Sequence, residues 1–493
     1  MKVRELFTSV VPADHLALLP DISIYGIEED SRRIRPGDLF VARAGTKTDG
    51  AKYVADAAAR GAAAALVAQK SPDCSIPQIV LADLGRLISP LAQRLYGDPS
   101  RSLKVLAVTG TNGKTTTTYL VRHILAKLGM KCGMIGTVEL DDGKTVLPAE
   151  MTTPSPTNVA RLMAAMRDNG CVACAIEVSS HALDQDRIAG VSLAAAAFTN
   201  LTGDHLDYHK TMARYAAAKA RLFEMLPAEA PGIANARDEW SMRILRDCPG
   251  RRMYFGMDRP AEYRASNPVF TAQGTAFTLT TPRGTCDARM RLIGRHNIEN
   301  ALTAASLVGE GLGLSAAAIA DGLSDAMGAP GRLQPVEAGQ SFAVLVDYAH
   351  TDDAMQNVLN ALRPLTQGRL RVLFGCGGDR DTSKRPRMAQ VAENLADAVY
   401  VTSDNPRTER PEMIMADIVA GFSAAGKQRA VVQPDRRAAI AKIIGDAEAG
   451  DVVLLAGKGH ENYQIVGATK HHFDDVEEAT KAIEAIGAIR CRS

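Results

Sequence analysis

An excess of either charge is missing from this chain. Lys plus Arg number 57 and Asp plus Glu 56, a net of +1. That balance gives no electrostatic case for nucleic acid or for an anionic membrane surface. Also missing is any apolar run near the roughly 18 residues that a spanning helix needs, and Met1-Lys-Val-Arg-Glu-Leu6 carries no signal-peptide apolar core. The expectation is a soluble, cytoplasmic protein with no membrane insertion and no nucleic-acid partner. Cysteine is too sparse for a disulfide framework, with eight in 493 residues. Cys171-Val-Ala-Cys174 is a lone C-x-x-C in an apolar run, with no second pair following. Both residues read as small core residues of a strand rather than a redox or zinc pair. Repeats and low-complexity tracts are absent as well.

What is present is the stretch from Val105 to Thr118. Leu103 to Val108 is a short apolar run rich in β-branched residues, which predicts a buried strand. Thr109 to Gly113 is a tight turn with two glycines, and Thr115 to Leu128 places apolar residues at helical spacing. Strand, glycine turn, Lys114-Thr115 and helix together make a phosphate cradle. Glycines let backbone N–H groups approach an anion, and the helix N-terminus adds partial positive charge. Lys114 would neutralise β- and γ-phosphates, and the Thr115 hydroxyl would bind Mg²⁺. The pattern is compact: the position five before Gly113 is Val108, not glycine.

The length suggests about three domains, at roughly 150 residues each, and 46% hydrophobic content supports packed cores. Residues 1–102 read as a small α/β domain, with Gly97-Asp-Pro-Ser-Arg101 as a linker. Residues 103–331 alternate strands and helices with polar residues at strand C-termini, which predicts a doubly wound parallel sheet with its ligand crevice there. Gly328-Ala-Pro-Gly-Arg332 reads as a hinge. In residues 332–493, four strands end in polar or glycine-rich loops: Asp347-Tyr-Ala-His350, Gly375-Cys-Gly-Gly-Asp-Arg380, Ser403-Asp-Asn-Pro-Arg407 and Gly457-Lys-Gly-His-Glu461. They predict a second, Rossmann-like sheet with a site at its C-terminal edge.

Within the central region, Glu177 closes an apolar strand across a crevice from the P-loop. It suits a Mg²⁺ ligand, against the plainer reading of a helix cap or surface acid. His205 and His209 have H-x-x-x-H spacing, but Leu206 stands where a zincin carries its glutamate, so a hydrolytic zinc site is not expected. A single metal or phosphate contact from one of them stays open. Lys219 sits among alanines of a helix, and a solvated lysine stays open there too.

Thr109 to Thr116, Glu177 to His181, Gly203 to His209, Asn297 to Asn300, Asp347 to His350, Asp404 to Arg407 and Gly457 to Glu461 stand in the order seen in the Mur ligase family. The chain resembles that family over essentially its whole length, and most of all the branch that adds diaminopimelate in peptidoglycan synthesis. The resemblance implies a three-domain ATP-dependent amide ligase, active as a monomer, with UDP-N-acetylmuramoyl-dipeptide and meso-diaminopimelate as substrates. It implies ATP phosphates on Gly110, Thr111, Asn112, Gly113, Lys114, Thr115 and Thr116, with Asn297, Arg332 and His350 also at the nucleotide. Mg²⁺ would be held by Thr115, Glu177, His205 and Lys219, the last as a carbamate. Lys114, Lys219, His205 and His350 form the implied catalytic set. Ser31 with Thr46, Lys47 and Thr48 would hold the UDP-sugar, and Thr152, Thr153, Ser179, Gln185 and Arg187 the muramoyl-dipeptide. Arg380, Asp404, Asn405, Pro406, Arg407, Gly457 and Glu461 would hold diaminopimelate. Two departures from the family pattern are Met151 before Thr152, where relatives can carry Asn, and His296 before Asn297, where an apolar aromatic is common. The implied chemistry is attack of a substrate carboxylate on the γ-phosphate, then of the amine on the acyl phosphate. Two other readings are a folylpolyglutamate-synthase-type ligase, expected to lack Asp404-Asn-Pro-Arg407 and the UDP-sugar domain, and a regulatory P-loop ATPase.

Overall fold

The computed structural model describes residues 1–8, 10–43, 49–72, 74–271 and 274–490. Thr46, Lys47 and Thr48 lie outside the described residues. The remainder builds three main sheets. The N-terminal one has four parallel strands in chain order: Gly26–Glu28, Asp38–Ala42, Ala64–Val67 and Gln78–Val80.

The central sheet has eleven strands. Its middle is parallel and runs Arg252–Gly256, Gly232–Asn235, Ala195–Phe198, Lys104–Thr109, Ala173–Glu177, Cys132–Ile135. The Lys104–Thr109 strand lies between Ala195–Phe198 and Ala173–Glu177, so the loops after all three open on one edge. Its side chains alternate between two cores: Val105 and Ala107 face one, Leu106 and Val108 the other. Both faces of the sheet are therefore covered, which explains why this strand reads as continuous apolar sequence. The expected parallel sheet is present, but antiparallel hairpins extend it on both sides. Glu139–Asp141 and Val146–Pro148 add to one edge; Tyr263–Thr271, Gly274–Thr281 and Gly284–Met290 add to the other.

The third sheet runs Gln334–Pro335, Ala343–Asp347, Val452–Ala456, Leu370–Phe374, Ala398–Val401, Val431–Val432, parallel except for the first pair. A hairpin, Tyr463–Val466 with Thr469–His472, stands apart from it.

Two local expectations change. Gly97 to Arg101 is not an open linker: Pro99–Ser102 is a short helix, Ser100 is buried, and its hydroxyl accepts the Ser192 N–H at 3.1 Å. Cys171 precedes the Ala173–Glu177 strand instead of lying in it, while Cys174 is inside; both are buried and free. Among the described residues no helix is long and apolar enough to cross a membrane.

Candidate active site

The turn after Thr109 is shaped by close approach. Gly110 has φ near +148°, and a Cβ there would sit 1.8 Å from Thr199 Oγ1. Thr199 and Asn200, at the end of the neighbouring strand, hold this turn. Thr199 Oγ1 donates to the Asn112 carbonyl at 2.6 Å, and Asn200 accepts the Thr111 N–H at 2.8 Å and the Asn112 N–H at 2.9 Å. Gly113 precedes the Lys114–Lys127 helix, whose first residues are Lys114, Thr115 and Thr116. The Lys114 ammonium donates to the carbonyls of Gly110 and Thr111, each at 2.8 Å. No carboxylate among the described residues pairs with it. Burial lowers its pKa, opposed by the charges of Glu177 and Asp204.

Lys219 comes from the Met212–Glu224 helix, whose start is capped by Thr211. The sequence left its environment open; the structure buries it to 1% exposure. Its ammonium donates to Gly110 O at 2.8 Å and lies 4.5 Å from the Tyr215 ring centre. Burial and the Lys114 charge push its pKa well below the lysine norm. A buried amine so shifted spends more time neutral.

Glu177 is fully buried at its strand end. Its carboxylate accepts from Thr115 Oγ1 at 3.0 Å, Thr137 Oγ1 at 3.0 Å and the Thr137 N–H at 2.8 Å. Two hard oxygen donors, one hydroxyl and one carboxylate, thus meet beside the phosphate cradle. That donor set fits Mg²⁺, which takes one or two protein oxygens and completes its shell with water and phosphate. Among the described residues no three His, Cys, Asp or Glu converge as a metal cage. His205 has φ +55° and its N–H is held by Asp204 Oδ1 at 2.8 Å. Burial drives His205 down to about 4, so it is neutral at pH 7. Burial acts upward on Asp204, but His205, His350 and Lys384 outweigh it and hold the acid at about 2. His209 instead bonds Ser180 Oγ at 2.9 Å and stacks on Tyr215.

The expected hinge is pinned on its far side. Asp347 accepts the N–H groups of Leu333 at 2.7 Å and Ala349 at 2.8 Å, and the Tyr348 N–H donates to Gly331 O at 2.9 Å. Arg332 lies over the Tyr348 ring at 4.7 Å and reaches Thr115 Oγ1 at 3.5 Å. His350 packs on the same ring and is pushed by burial to about 4. Asn297 is buried and linked to Asn300 at 3.0 Å. His296 beside it is likewise pushed to about 4 by burial.

On the other side of Glu177, Thr153 Oγ1 donates to the Glu177 carbonyl at 2.9 Å and accepts the Ser179 N–H at 3.1 Å. Thr152 Oγ1 lies at hydrogen-bond distance, 3.0 Å, from Thr137 Oγ1. Arg187 donates to Thr153 O at 2.7 Å and to Gln185 Oε1 at 2.8 Å, and touches the exposed Met151 sulfur at 3.7 Å. Ser31 is buried in the N-terminal domain, on the turn Ser31–Arg33. Among the described residues no hydrogen bond or ion pair joins it to this group.

In the third domain, Asp404, Asn405, Pro406, Gly457 and Glu461 are brought together. Gly457 has φ near +112°, and a Cβ there would lie 2.8 Å from Asp404 Oδ2. Asn405 donates to Glu461 Oε2 at 2.7 Å and accepts from Lys458 at 3.3 Å and the Ile465 N–H at 2.9 Å. Arg407 has φ +52°, its backbone bridges to the separate hairpin, and its guanidinium donates to Gly378 O at 2.8 Å. Arg380, exposed on that same loop, donates to Asp379 O at 3.1 Å.

Sequence reasoning missed Thr137, Thr199, Asn200, Asp204 and Lys384. Thr199, Asn200 and Asp204 stand in a quoted strand-end segment, which was a usable signal; Thr137 and Lys384 carry none. A separate cavity of about 680 Å³ lies behind the P-loop helix, lined by Tyr119, Arg122 and Met327 among others, and shares none of these groups.

Comparison with known proteins assigns the chain to a family. Three family models match in order: "Mur ligase family, catalytic domain" at 23–86, "Mur ligase middle domain" at 108–308 and "Mur ligase, glutamate ligase domain" at 331–459. The chain is 44% identical to UDP-N-acetylmuramoyl-L-alanyl-D-glutamate–2,6-diaminopimelate ligase of Synechococcus elongatus, covering 98% of this chain and 99% of that one. The enzyme of that name from Pseudomonas aeruginosa is also 44% identical, over 94% and 96%. A solved structure bearing the same name is 33% identical with a TM-score of 0.69, covering 99% and 100%. With all three domains matched and the similarity running from end to end, the chain belongs to the Mur ligase family.

Proposed function

We propose that the protein joins meso-diaminopimelate to the glutamyl carboxylate of UDP-N-acetylmuramoyl-L-alanyl-D-glutamate at the expense of ATP, forming ADP and phosphate. The carrying observation is that a cationic phosphate cradle and a pocket of paired acids and guanidinium stand on the two sides of one hinge, with Arg332 reaching Thr115. The relatives named for this reaction supply the substrate assignment.

Domain roles follow: 1–102 for the UDP-sugar, with Ser31, Thr46, Lys47 and Thr48; 103–331 for ATP; 332–493 for the amino acid. The P-loop backbone and Lys114 bind the phosphates, and Asn297, Arg332 and His350 border the nucleotide. Thr152, Thr153, Ser179, Gln185 and Arg187 orient the dipeptide so that its carboxylate meets the γ-phosphorus. Two anions approach there, and Lys114 offsets their repulsion. Thr115, Glu177, His205 and carbamylated Lys219 are the residues that would hold Mg²⁺, which when bound supplies charge neutralisation at the phosphates. The neutral Lys219 amine can add to CO₂, losing a proton and gaining an oxygen anion suited to a hard cation. Asp404, Asn405 and Glu461 suit the ammonium of diaminopimelate, and Arg407 and Arg380 its carboxylates; Pro406 fixes the turn before Arg407. Closure over the hinge brings amine to acyl phosphate and excludes water. We assign a cytoplasmic monomer, in line with the soluble nucleotide-linked substrate.

The test is phosphate release with UDP-N-acetylmuramoyl-dipeptide, ATP and a panel of amino acids. Release should depend on meso-diaminopimelate and coincide with a new amide. Release without any new amide would favour a switching ATPase; addition of glutamate to a folate would favour the folylpolyglutamate type.

A further inference from the structure

Three cations stand close together where the third domain faces the phosphate cradle: Lys384, Arg385 and Arg387 on the Lys384–Leu395 helix. Two are neutralised. Arg385 is paired with Glu409 at 2.8 Å and Asp417 at 2.9 Å, and Arg387 with Asp352 at 2.9 Å. Lys384 is 8% exposed, and its ammonium makes no hydrogen bond or ion pair with a described residue. It is also the first residue of a 12-residue helix that has no side-chain cap. A lysine there opposes the helix dipole. An unpaired cation at the positive end of a helix is unfavourable until an anion joins it.

Its direction follows from its neighbours. Lys384 and Arg387 are three residues apart and share a helix face. Arg387 grips Asp352, and the next residue, Asp353, accepts from Asn112 of the P-loop at 2.9 Å. Lys384 thus stands on the helix face that meets Asp352, one residue from the Asp353 contact to the P-loop.

We propose that Lys384 is the third domain's contact to the phosphoryl group during its transfer, so that acyl-phosphate formation requires domain closure. This rests on the ligase function proposed above. In that step a carboxylate oxygen bonds to the γ-phosphorus, the bond from phosphorus to the β–γ bridging oxygen breaks, and ADP leaves with the electron pair. The equatorial phosphoryl oxygens carry negative charge throughout, and Lys384 meets it from across the domain gap. The other oxyanion that could occupy this position is the α-carboxylate of the incoming amino acid, and the experiment separates the two.

Acyl phosphate is measured without amino acid, as the hydroxamate formed with hydroxylamine, in wild type, Lys384→Met and Lys384→Arg. The KM for the amino acid is measured in the complete reaction. Hydroxamate formation should fall about 10²-fold in Lys384→Met, with an unchanged amino-acid KM and an unchanged or raised melting temperature, and recover in Lys384→Arg. Unchanged hydroxamate with a raised amino-acid KM would move Lys384 to the carboxylate and overturn the proposal. So would a loss that Lys384→Arg does not restore and that a lowered melting temperature accompanies, since it assigns a structural role. If wild type itself forms no hydroxamate, the ligase reading fails and this proposal fails with it.

Discussion

The central phosphate site and the third-domain pocket both collect charge at the C-terminal edge of a parallel sheet, yet they balance it differently. At the cradle, the Lys114 ammonium donates to the carbonyls of Gly110 and Thr111, and no carboxylate among the described residues pairs with it. In the third domain, Glu461 has Asn405 and Lys458, Arg385 has Glu409 and Asp417, and Arg436 and Asp475 form an ion pair with no exposed surface. A site for a polyanion must carry uncompensated cation before its ligand arrives. A site for a zwitterion can be neutral within itself, keeping acids for the ammonium and guanidinium groups for the carboxylates. Removing a charge should therefore harm chemistry in one region and folding in the other.

The largest effect tests the balanced side. Asp475→Ala strands a buried Arg436 and should cost about 3–5 kcal/mol of stability, read as a lowered denaturation midpoint. A stable variant would mean the pair is not an essential balance. On the unbalanced side, Lys114→Ala should cost about 10²–10³ in turnover while leaving the melting temperature of the ligand-free protein unchanged or raised. Near-normal turnover would remove the P-loop assignment, and unfolding would erase the contrast. Arg407→Ala sharpens it on the binding side. Loss of a charge-assisted contact of about 1.5–3 kcal/mol predicts a roughly ten- to hundredfold rise in the diaminopimelate KM. L-lysine, which lacks the distal carboxylate, should be a poor substrate of the wild type. Efficient lysine addition, or an unchanged KM in the variant, would show that Arg407 is not the selector.

The gentlest effect is on pH. Burial pushes His350 and His460, both at the domain junction, down to about 4. Their folded values lie below the unfolded value near 6.5, so between about pH 6.5 and 4 the unfolded chain binds more protons. Stability from these groups is intact above pH 6.5 and is lost as pH falls toward 4. The melting temperature should be lower at pH 5 than at pH 7, and His460→Gln should lessen that difference. A melting temperature that rises on acidification would contradict their burial as neutral rings.

Sequence by itself determined what depends on neighbours along the chain. Strand, glycine turn, Lys114 and helix lie within a short stretch, and apolar continuity in Leu103 to Val108 requires burial on both faces. Asp404 to Arg407 was legible for the same reason, as a turn after a strand. The hairpins of residues 263–290 were not. Residues 267–271 of the first strand are exposed, so its apolar alternation fades. Tertiary structure alone decided which charges find partners. Thr115 meets Arg332 across 217 residues and Asn112 meets Asp353 across 241. Lys219 and Lys384 read as ordinary lysines until folding buries them. Local pattern records where a side chain leaves the backbone; the cost of its charge depends on the dielectric and counter-charges that distant segments bring.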